Sequence, residues 1–222
     1  MLKIDLYSDI VCPWCIIGQH RLDKVLHERF PDLDVDIEHH PFELQPFAPP
    51  EGVKAEDYFR MRGINVAQVG KAFAGPEGEA RASGLNLKLS LAQQPFIYRT
   101  VHAHTLLRHA RKRGTQHALS MALMKAFFFD SRNISDKAVL AEIATQHGFT
   151  ADEARAILAD PAEQTECEKD IAASRARGVR SVPTLDIGGL VMGGGSEDQL
   201  AAAIRRQLTT ACRVKKDSRD ML

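Results

Sequence analysis

The chain has 222 residues, 44% of them hydrophobic and 26% charged, with 29 basic side chains against 29 acidic ones. That length suits one large domain or one domain carrying an insertion, and the composition is that of a soluble globular protein. The charge balance speaks against nucleic acid or an anionic membrane surface as the main partner, and no apolar run approaches the ~18 residues that span a bilayer.

The opening segment "LKIDLYSDIV" alternates apolar and polar residues at Leu2, Ile4 and Leu6, then Ile10, as a strand does. It lacks the basic start, long apolar core and small-residue cleavage site of a secretory signal, so a cytosolic protein is expected. From Pro13 the period changes. Trp14, Ile17, Val25, Leu26 and Phe30 fit one face of a helix, with Arg21, Lys24 and Glu28 on the solvent side. Pro13 takes the first helical position, where its missing N–H costs little. "FPDLDVDIEHHPF" gives a second strand, and strand, helix and strand make a parallel βαβ unit.

After the proline-rich "PFELQPFAPPEG" the strand signals stop, and residues 53–176 read as helices. Ser135 and Thr150 are expected caps, Gly114 and Gly148 expected stops. "SVPTLDIGGLVMGG" reads as two short strands joined by Gly188 and Gly189, a pair suited to a tight hairpin. "SEDQLAAAIRRQL" closes the fold as a helix capped by Ser196. The domain reading is therefore 1–50 and 177–210 as the two parts of one α/β unit, 51–176 as a helical insertion whose last helix returns to that unit, and 211–222 as a polar tail expected to fray.

Four cysteines in a reducing compartment do not suggest a structural framework. Cys12 and Cys15 flank Pro13 and Trp14, while Cys167 and Cys212 stand alone. A structural zinc site would bring a second C-x-x-C or a paired His set, and neither is present, so no metal is expected. Cys12 at a strand-to-helix junction faces free backbone N–H groups at the positive helix end, and Cys15 follows one turn later on the same side. This arrangement favours a thiolate, the attacking species in disulfide exchange. Cys12 is read as the exposed nucleophile and Cys15 as the more buried thiol that resolves the mixed disulfide. Asp9 would oppose the thiolate if it points inward.

"GVRSVPT", residues 178–184, offers a second feature. A proline entering a strand is confined to edges or special joints. Taken with the cysteine pair, Val182–Pro183 suggests a cis-proline loop facing the two sulfurs, against the plain reading of a trans proline at a strand start.

Three other groups have structural readings. His102, His104 and His109 lack the spacing of a metal set and read as surface or packed histidines. The basic run "RHARKRG" complements a helix C-terminus. "MALMKAFFF" reads first as core and second as the lining of an apolar groove over Cys12. Cys167 and Cys212 read as bystanders.

"SDIVCPWC", "PFEL", the helical region with "TVHAHTLLRHA" and "FFFDSRNISDKAVL", "GVRSVPT" and the final hairpin and helix together resemble the DsbA-like thioredoxin-fold superfamily, FrnE-like branch, related to 2-hydroxychromene-2-carboxylate isomerases. The resemblance implies a thioredoxin fold, β-α-β then β-β-α, interrupted by an all-helical insertion. It implies Cys12 as nucleophile, Cys15 as its partner, a cis Pro183, and Val182 offering backbone hydrogen bonds to a bound peptide or thiol, with Pro13 and Trp14 beside them. DsbA is similar in plan but usually has His where Trp14 stands, which implies a weaker oxidant, between ~−120 and ~−270 mV. The isomerase and kappa-class glutathione transferase relatives generally carry serine where Cys12 stands. "MGGGSEDQL" looks like their approach to the last helix, which makes Gly194, Gly195 and Ser196 candidates for a glutathione carboxylate; the plain reading there is a hairpin exit and a helix cap.

The expected function is thus thiol–disulfide oxidoreduction with protein or small-molecule thiols and disulfides, with no required cofactor and glutathione as a candidate co-substrate. A glutathione-dependent isomerase or transferase acting on small aromatic or polyketide-like molecules is the alternative, and a redox-responsive binding protein the third.

Overall fold

In the computed structural model, which describes residues 1–49 and 51–219, with side chains to residue 210, the chain opens with β1 (Leu2–Ser8), α1 (Pro13–Arg29) and β2 (Val35–Pro41). A short ribbon and two helices follow: β3 (Val53–Lys54), α2 (Ala55–Met61), α3 (Val66–Ala82) and β4 (Phe96–Ile97). Then come α4 (Val101–Arg113), α5 (Gln116–Phe128), α6 (Lys137–Ala144), α7 (Ala151–Ala159) and α8 (Pro161–Ala176). The chain returns to the sheet through β5 (Thr184–Ile187) and β6 (Leu190–Gly193), and α9 (Glu197–Arg219) closes it. The main sheet has the order β2-β1-β5-β6, with β1 and β2 parallel and β5 antiparallel to both β1 and β6.

Local chemistry accounts for most boundaries. Gly188 and Gly189 both take positive φ, 58° and 97°, in the turn between β5 and β6, and the Gly189 N–H donates to Asp186 Oδ1 at 2.7 Å. Gly114 ends α4 in the left-handed region, and Gly148 does so after α6. Thr150 and Glu153 form a reciprocal capping box on α7. Ser196 and Gln199 do the same for α9: the Gln199 N–H donates to Ser196 Oγ and the Ser196 N–H to Gln199 Oε1.

Five expectations need correction. The insertion is not purely helical: Val53–Lys54 pairs antiparallel with Phe96–Ile97, a ribbon too short to leave a period in the sequence. Asp136, not Ser135, caps α6, because its carboxylate reaches the N–H groups of Ala138 and Val139. Arg21 is buried rather than solvent-facing, and Trp14 is 42% exposed rather than on the core side of α1. The backbone of α9 continues helical to Arg219, into the expected polar tail. Cys212 lies outside the described side chains.

Two apolar cores meet at α1. Ile4, Leu6, Leu185 and Ile187 of the sheet pack with Leu22 and Val25 of α1 and with Leu200 and Ile204 of α9. The N-terminal turn of α1, through Cys15, Ile16 and Ile17, joins Leu106, Leu119, Leu123, Met124 and Phe127 of the insertion. Because α1 contributes its N-terminal part to one core and its later turns to the other, the cysteine-bearing end of the helix is fixed by sheet and insertion together.

Candidate active site

β1 ends at Ser8, the chain turns through Asp9–Val11 with the Cys12 N–H donating to the Asp9 carbonyl at 3.2 Å, and α1 starts at Pro13. Cys12 is the N-cap residue in extended conformation, its side chain makes no capping bond, and the first turn of α1 carries no acidic residue. The thiol turns instead to the far side of the site, where Cys12 Sγ lies 3.6 Å from the Val182 carbonyl oxygen. The Val182–Pro183 peptide is cis. Residues 170 positions apart in sequence are therefore brought face to face.

Cys12, Cys15 and Cys167 are unbridged. Cys15 is fully buried, and burial first, then the hydrogen bond and charge of Cys12, push its thiol well above its ordinary range. Cys15 therefore holds its proton. The exposure assigned to Cys12 needs correction. It is only 3% accessible, because its side chain is folded between the start of α1 and the Val182 carbonyl. Asp9 does point inward: it is wholly buried, with Oδ2 accepting from the Leu44 N–H at 2.7 Å.

Glycines shape the seat of Pro183. A Cβ on Gly194 would stand 2.7 Å from Pro183 Cγ, and one on Gly18 would stand 3.1 Å from the same atom. Gly18 is a helix-interior glycine, usually unfavourable there, and close approach of the proline is its physical reason. That cost was a signal in the sequence that α1 presents bare backbone to another segment. Gly195 packs beside Gln199 and Met192, and Ser196 is committed to the α9 cap. Arg21, also missed by pattern reasoning, ties this region together. It pairs with Glu79, donates to Ser83 Oγ at 2.7 Å, and reaches the Gly195 carbonyl at 3.3 Å.

Beside Pro13 and Val11 opens an apolar groove of about 230 Å³, lined also by Phe59, Phe73, Phe127 and Phe128. Phe127 and Phe128 are at the same time core residues, so the "MALMKAFFF" run serves as core and lines a groove that opens beside Val11 and Pro13. The histidines are packed or paired: His104 is 2% exposed, and His109 bonds Glu163 at 2.8 Å. The basic run is spent on ion pairs of Arg108 with Asp170, Arg111 with Asp36 and Arg113 with Glu153. Asp5, Glu38 and His40 lie close enough together to hold a cation, but the Lys3 ammonium sits on both carboxylates, at 3.2 and 3.0 Å. Among the described residues no helix is long and apolar enough to cross a membrane.

A sheet of this order, with a Cys-Pro-Trp-Cys turn at the start of its first helix facing a cis-proline, defines a thioredoxin-fold protein with a dithiol site. Residues 3–205 match the DSBA-like thioredoxin domain, and the chain belongs to that family. It is similar to the uncharacterized protein YwbO of Bacillus subtilis, 24% identical over 201 residues, covering 88% of this chain and 91% of that one. Among solved structures it resembles a probable DsbA oxidoreductase from Streptomyces coelicolor, with a TM-score of 0.82 and 26% identity over 94% of this chain and 91% of that one. It shares its fold with 2-hydroxychromene-2-carboxylate isomerase, TM-score 0.68 at 14% identity over 97% and 98% of the two chains. It also shares it with the cytosolic disulfide reductase DsbM from Pseudomonas aeruginosa with GSH, TM-score 0.64 at 16% identity over 94% and 100%.

Proposed function

We propose that the protein is a thiol–disulfide oxidoreductase working through Cys12 and Cys15. The observation that carries this reading is the asymmetry of the pair: Cys12 at the helix start against the Val182 carbonyl, and Cys15 one turn deeper, fully buried and holding its proton. Cys12 thiolate attacks one sulfur of a substrate disulfide, forming a mixed disulfide and releasing the other sulfur as a thiolate. Cys15 loses its proton and attacks Cys12 Sγ, the Cys12–substrate bond breaks, and the Cys12–Cys15 disulfide forms. Run backwards, the same steps oxidise a dithiol substrate. The scheme requires no metal or organic cofactor.

The substrate seats against Val182 and Pro183 on one side and Pro13 and the exposed Trp14 on the other, replacing the Cys12–Val182 contact. The apolar groove beside Pro13 takes an apolar side chain or aromatic group next to the reacting sulfur. Glutathione enters as a thiol or disulfide partner at Cys12. It is not assigned to Gly194, Gly195 and Ser196, because Gly194 packs on Pro183, Gly195 lies against Gln199 and Met192, and Ser196 is bonded into the α9 cap. The cytosol is the compartment proposed.

The test is equilibration in a series of glutathione redox buffers, with acid quenching, alkylation and peptide mass analysis. The expected result is a reversible Cys12–Cys15 disulfide with a midpoint between ~−120 and ~−270 mV, and a Cys12–glutathione adduct that accumulates in Cys15→Ser. A pair that stays reduced across the series would overturn the reading and leave glutathione-dependent conversion of a small molecule as the chemistry to assay.

A further inference from the structure

The segment that leads into the cis-proline, "SRARGVRSVPT", carries Arg175, Arg177 and Arg180 in close succession. All three are exposed, and among the described residues none makes an ion pair, whereas Arg99, Arg108, Arg111 and Arg113 each hold a carboxylate. Their partners are neutral. Arg175 Nη2 donates to the Glu43 carbonyl at 2.7 Å, with its guanidinium 4.4 Å from the centre of the Phe42 ring, and Arg177 Nη1 donates to the Tyr7 hydroxyl at 3.3 Å. Two guanidiniums are thus held in place without being neutralised. Cations are favoured at a helix C-terminus, which accounts for Arg175 and Arg177 at the end of α8, but Arg180 lies beyond the helix.

The carboxylates around this segment are engaged with other groups. Asp5 and Glu38 are the acids that act on Arg177, and the Lys3 ammonium bridges them at 3.2 and 3.0 Å, with His40 Nε2 2.6 Å from Asp5 Oδ1 and Arg111 3.6 Å from Glu38. Asp186 accepts from the Gly189 N–H of the hairpin turn. Glu43 is buried and takes both arms of Arg99, at 3.1 Å each, besides the Thr100 N–H. Asp9, wholly buried, faces His104 Nε2 at 3.5 Å and the Leu44 N–H at 2.7 Å. The three arginines remain as positive charge on the rim of a site whose acids are already matched.

The fold brings this charge to the reacting sulfur. Val179 packs with Tyr7 and Phe42, and Val182 packs on the same small core, so both ends of the loop are seated on it. Arg180 stands two residues before Val182, about 7 Å along an extended chain, and the Val182 carbonyl lies 3.6 Å from Cys12 Sγ. Between Arg177 and Arg180 opens a cavity of about 490 Å³, walled also by Tyr7, Ser181 and Thr184. Guanidiniums offer donors and no acceptor, and their strong bonds are to carboxylates. The thiol–disulfide reading, on which this inference rests, lays a substrate chain against Val182, which puts a residue two or three places from its reacting cysteine within reach of Arg180 and the cavity. We propose that Arg177 and Arg180, with Arg175 as the neighbouring charge, select protein substrates that carry an acidic residue at that distance from the reacting cysteine.

The bond changes are those of disulfide exchange. Cys12 thiolate attacks one sulfur of a peptide disulfide and the first peptide leaves as a thiolate; Cys15 loses its proton and attacks Cys12 Sγ, and the second peptide leaves. One protein dithiol is oxidised and one disulfide becomes two peptide thiols. The arginines act on the approach of the chain and on the mixed disulfide, where an acidic residue holds the substrate against Val182 while Cys15 closes. An exposed ion pair contributes little by itself, but clustered charge of one sign also speeds encounter, so the selection is modest and sensitive to salt. A peptide side chain is the occupant assigned rather than a carboxylate of glutathione, which has a single residue on each side of its cysteine.

The test mixes the full chain, reduced and freed of reductant, with peptide homodisulfides of one length that carry Glu, Gln or Lys two and three places from the cysteine. Rapid acid quenching and mass analysis give the rate of peptide-thiol release, and each rate is divided by that of the Gln peptide on the same protein. In the natural chain the Glu peptide should react about fivefold faster than the Gln peptide at low ionic strength, and the advantage should shrink as salt is raised towards ~1 M. Arg177→Gln should lower this ratio, Arg180→Gln should bring it close to one, and Arg180→Glu should turn the preference to the Lys peptide. Ratios that are the same in the natural chain and in Arg180→Glu overturn the selection and leave the oxidoreductase reading intact. Equal slowing of all three peptides overturns it too, because the loop would then be disturbed without any reading of charge. If Arg180→Gln slows the reduction of oxidised glutathione and not that of the Glu peptide, the contact belongs to the carboxylates of glutathione and the selection is likewise overturned. Release of no peptide thiol by the natural chain removes both.

Discussion

The two thiols of the Cys-Pro-Trp-Cys turn are both buried and differ in position and partner: the first stands at the helix N-cap against the Val182 carbonyl, the second lies one turn further into the packed core with the first as its neighbour. Cys167 shows what the same core does to a thiol with no role in the site. It is fully buried, its S–H is aimed at the Val101 carbonyl 3.6 Å away, and burial pushes it up from 9.0 to about 12. An acid raised in the folded state stabilises the fold fully below its unfolded value and loses that contribution as pH climbs. For Cys167 the loss runs from pH 9.0 to about 12, with an upper bound of about 4 kcal/mol. Cys167→Ala should therefore flatten the fall of the melting temperature with pH across that window. In the natural chain, iodoacetamide followed by peptide mapping should modify Cys12 well before Cys167, with Cys167 reacting only as the protein unfolds. Equal rates for the two would contradict the burial on which the asymmetry rests.

Among the elements, the contact between α1 and the segment joining β6 to α9 decides how the cis-proline loop meets the cysteines. Gly18 and Gly194 hold Pro183 between them, but with unequal clearance. A methyl on Gly194 would stand 2.7 Å from Pro183 Cγ, inside any normal contact, so the loop must move. Gly194→Ala should cost about 1–3 kcal/mol by overpacking and should change the rate of Cys12 alkylation, since the loop also carries the Val182 carbonyl. Gly18→Ala meets the ring at 3.1 Å and gains about 1 kcal/mol of helix propensity, so its net change should be near zero. Urea titration of both variants checks the order, and a neutral Gly194→Ala would show that the loop is not held by this contact. The elements themselves were largely legible. Alternation marked β1, paired glycines marked the β5–β6 turn, and Thr150 marked the start of α7. The two-residue ribbon of β3 and β4 was not legible, since two residues carry no period, and the Asp136 cap lost out to a neighbouring serine of the same capping class.

At the scale of the molecule, sequence reading located the cysteine pair and the cis-proline that faces it but not their surroundings. Cys12 and Cys15 carry their spacing in the chain, whereas the burial of Asp9, the inward turn of Arg21 and the approach of His104 depend on how the insertion docks on the sheet. That docking runs through α1. Its later turns hold Leu22 and Val25 in one core, its N-terminal part holds Cys15, Ile16 and Ile17 in the other, and neither core is complete without it. A helix shared in this way couples the two cores, so the insertion should not unfold and leave a working thioredoxin unit behind. Trp14, the only tryptophan, sits on α1 between the cysteines and reports on the site, while far-UV circular dichroism reports chiefly on the helices of the insertion. In urea the two signals should change together in one transition. Leu123→Ala, a fully buried deletion inside the insertion core, should cost about 2–5 kcal/mol and shift both signals by the same amount. If the circular dichroism transition moved and the Trp14 transition stayed in place, the insertion would be an independent unit. Fixing the thiols would then fall to the sheet core alone.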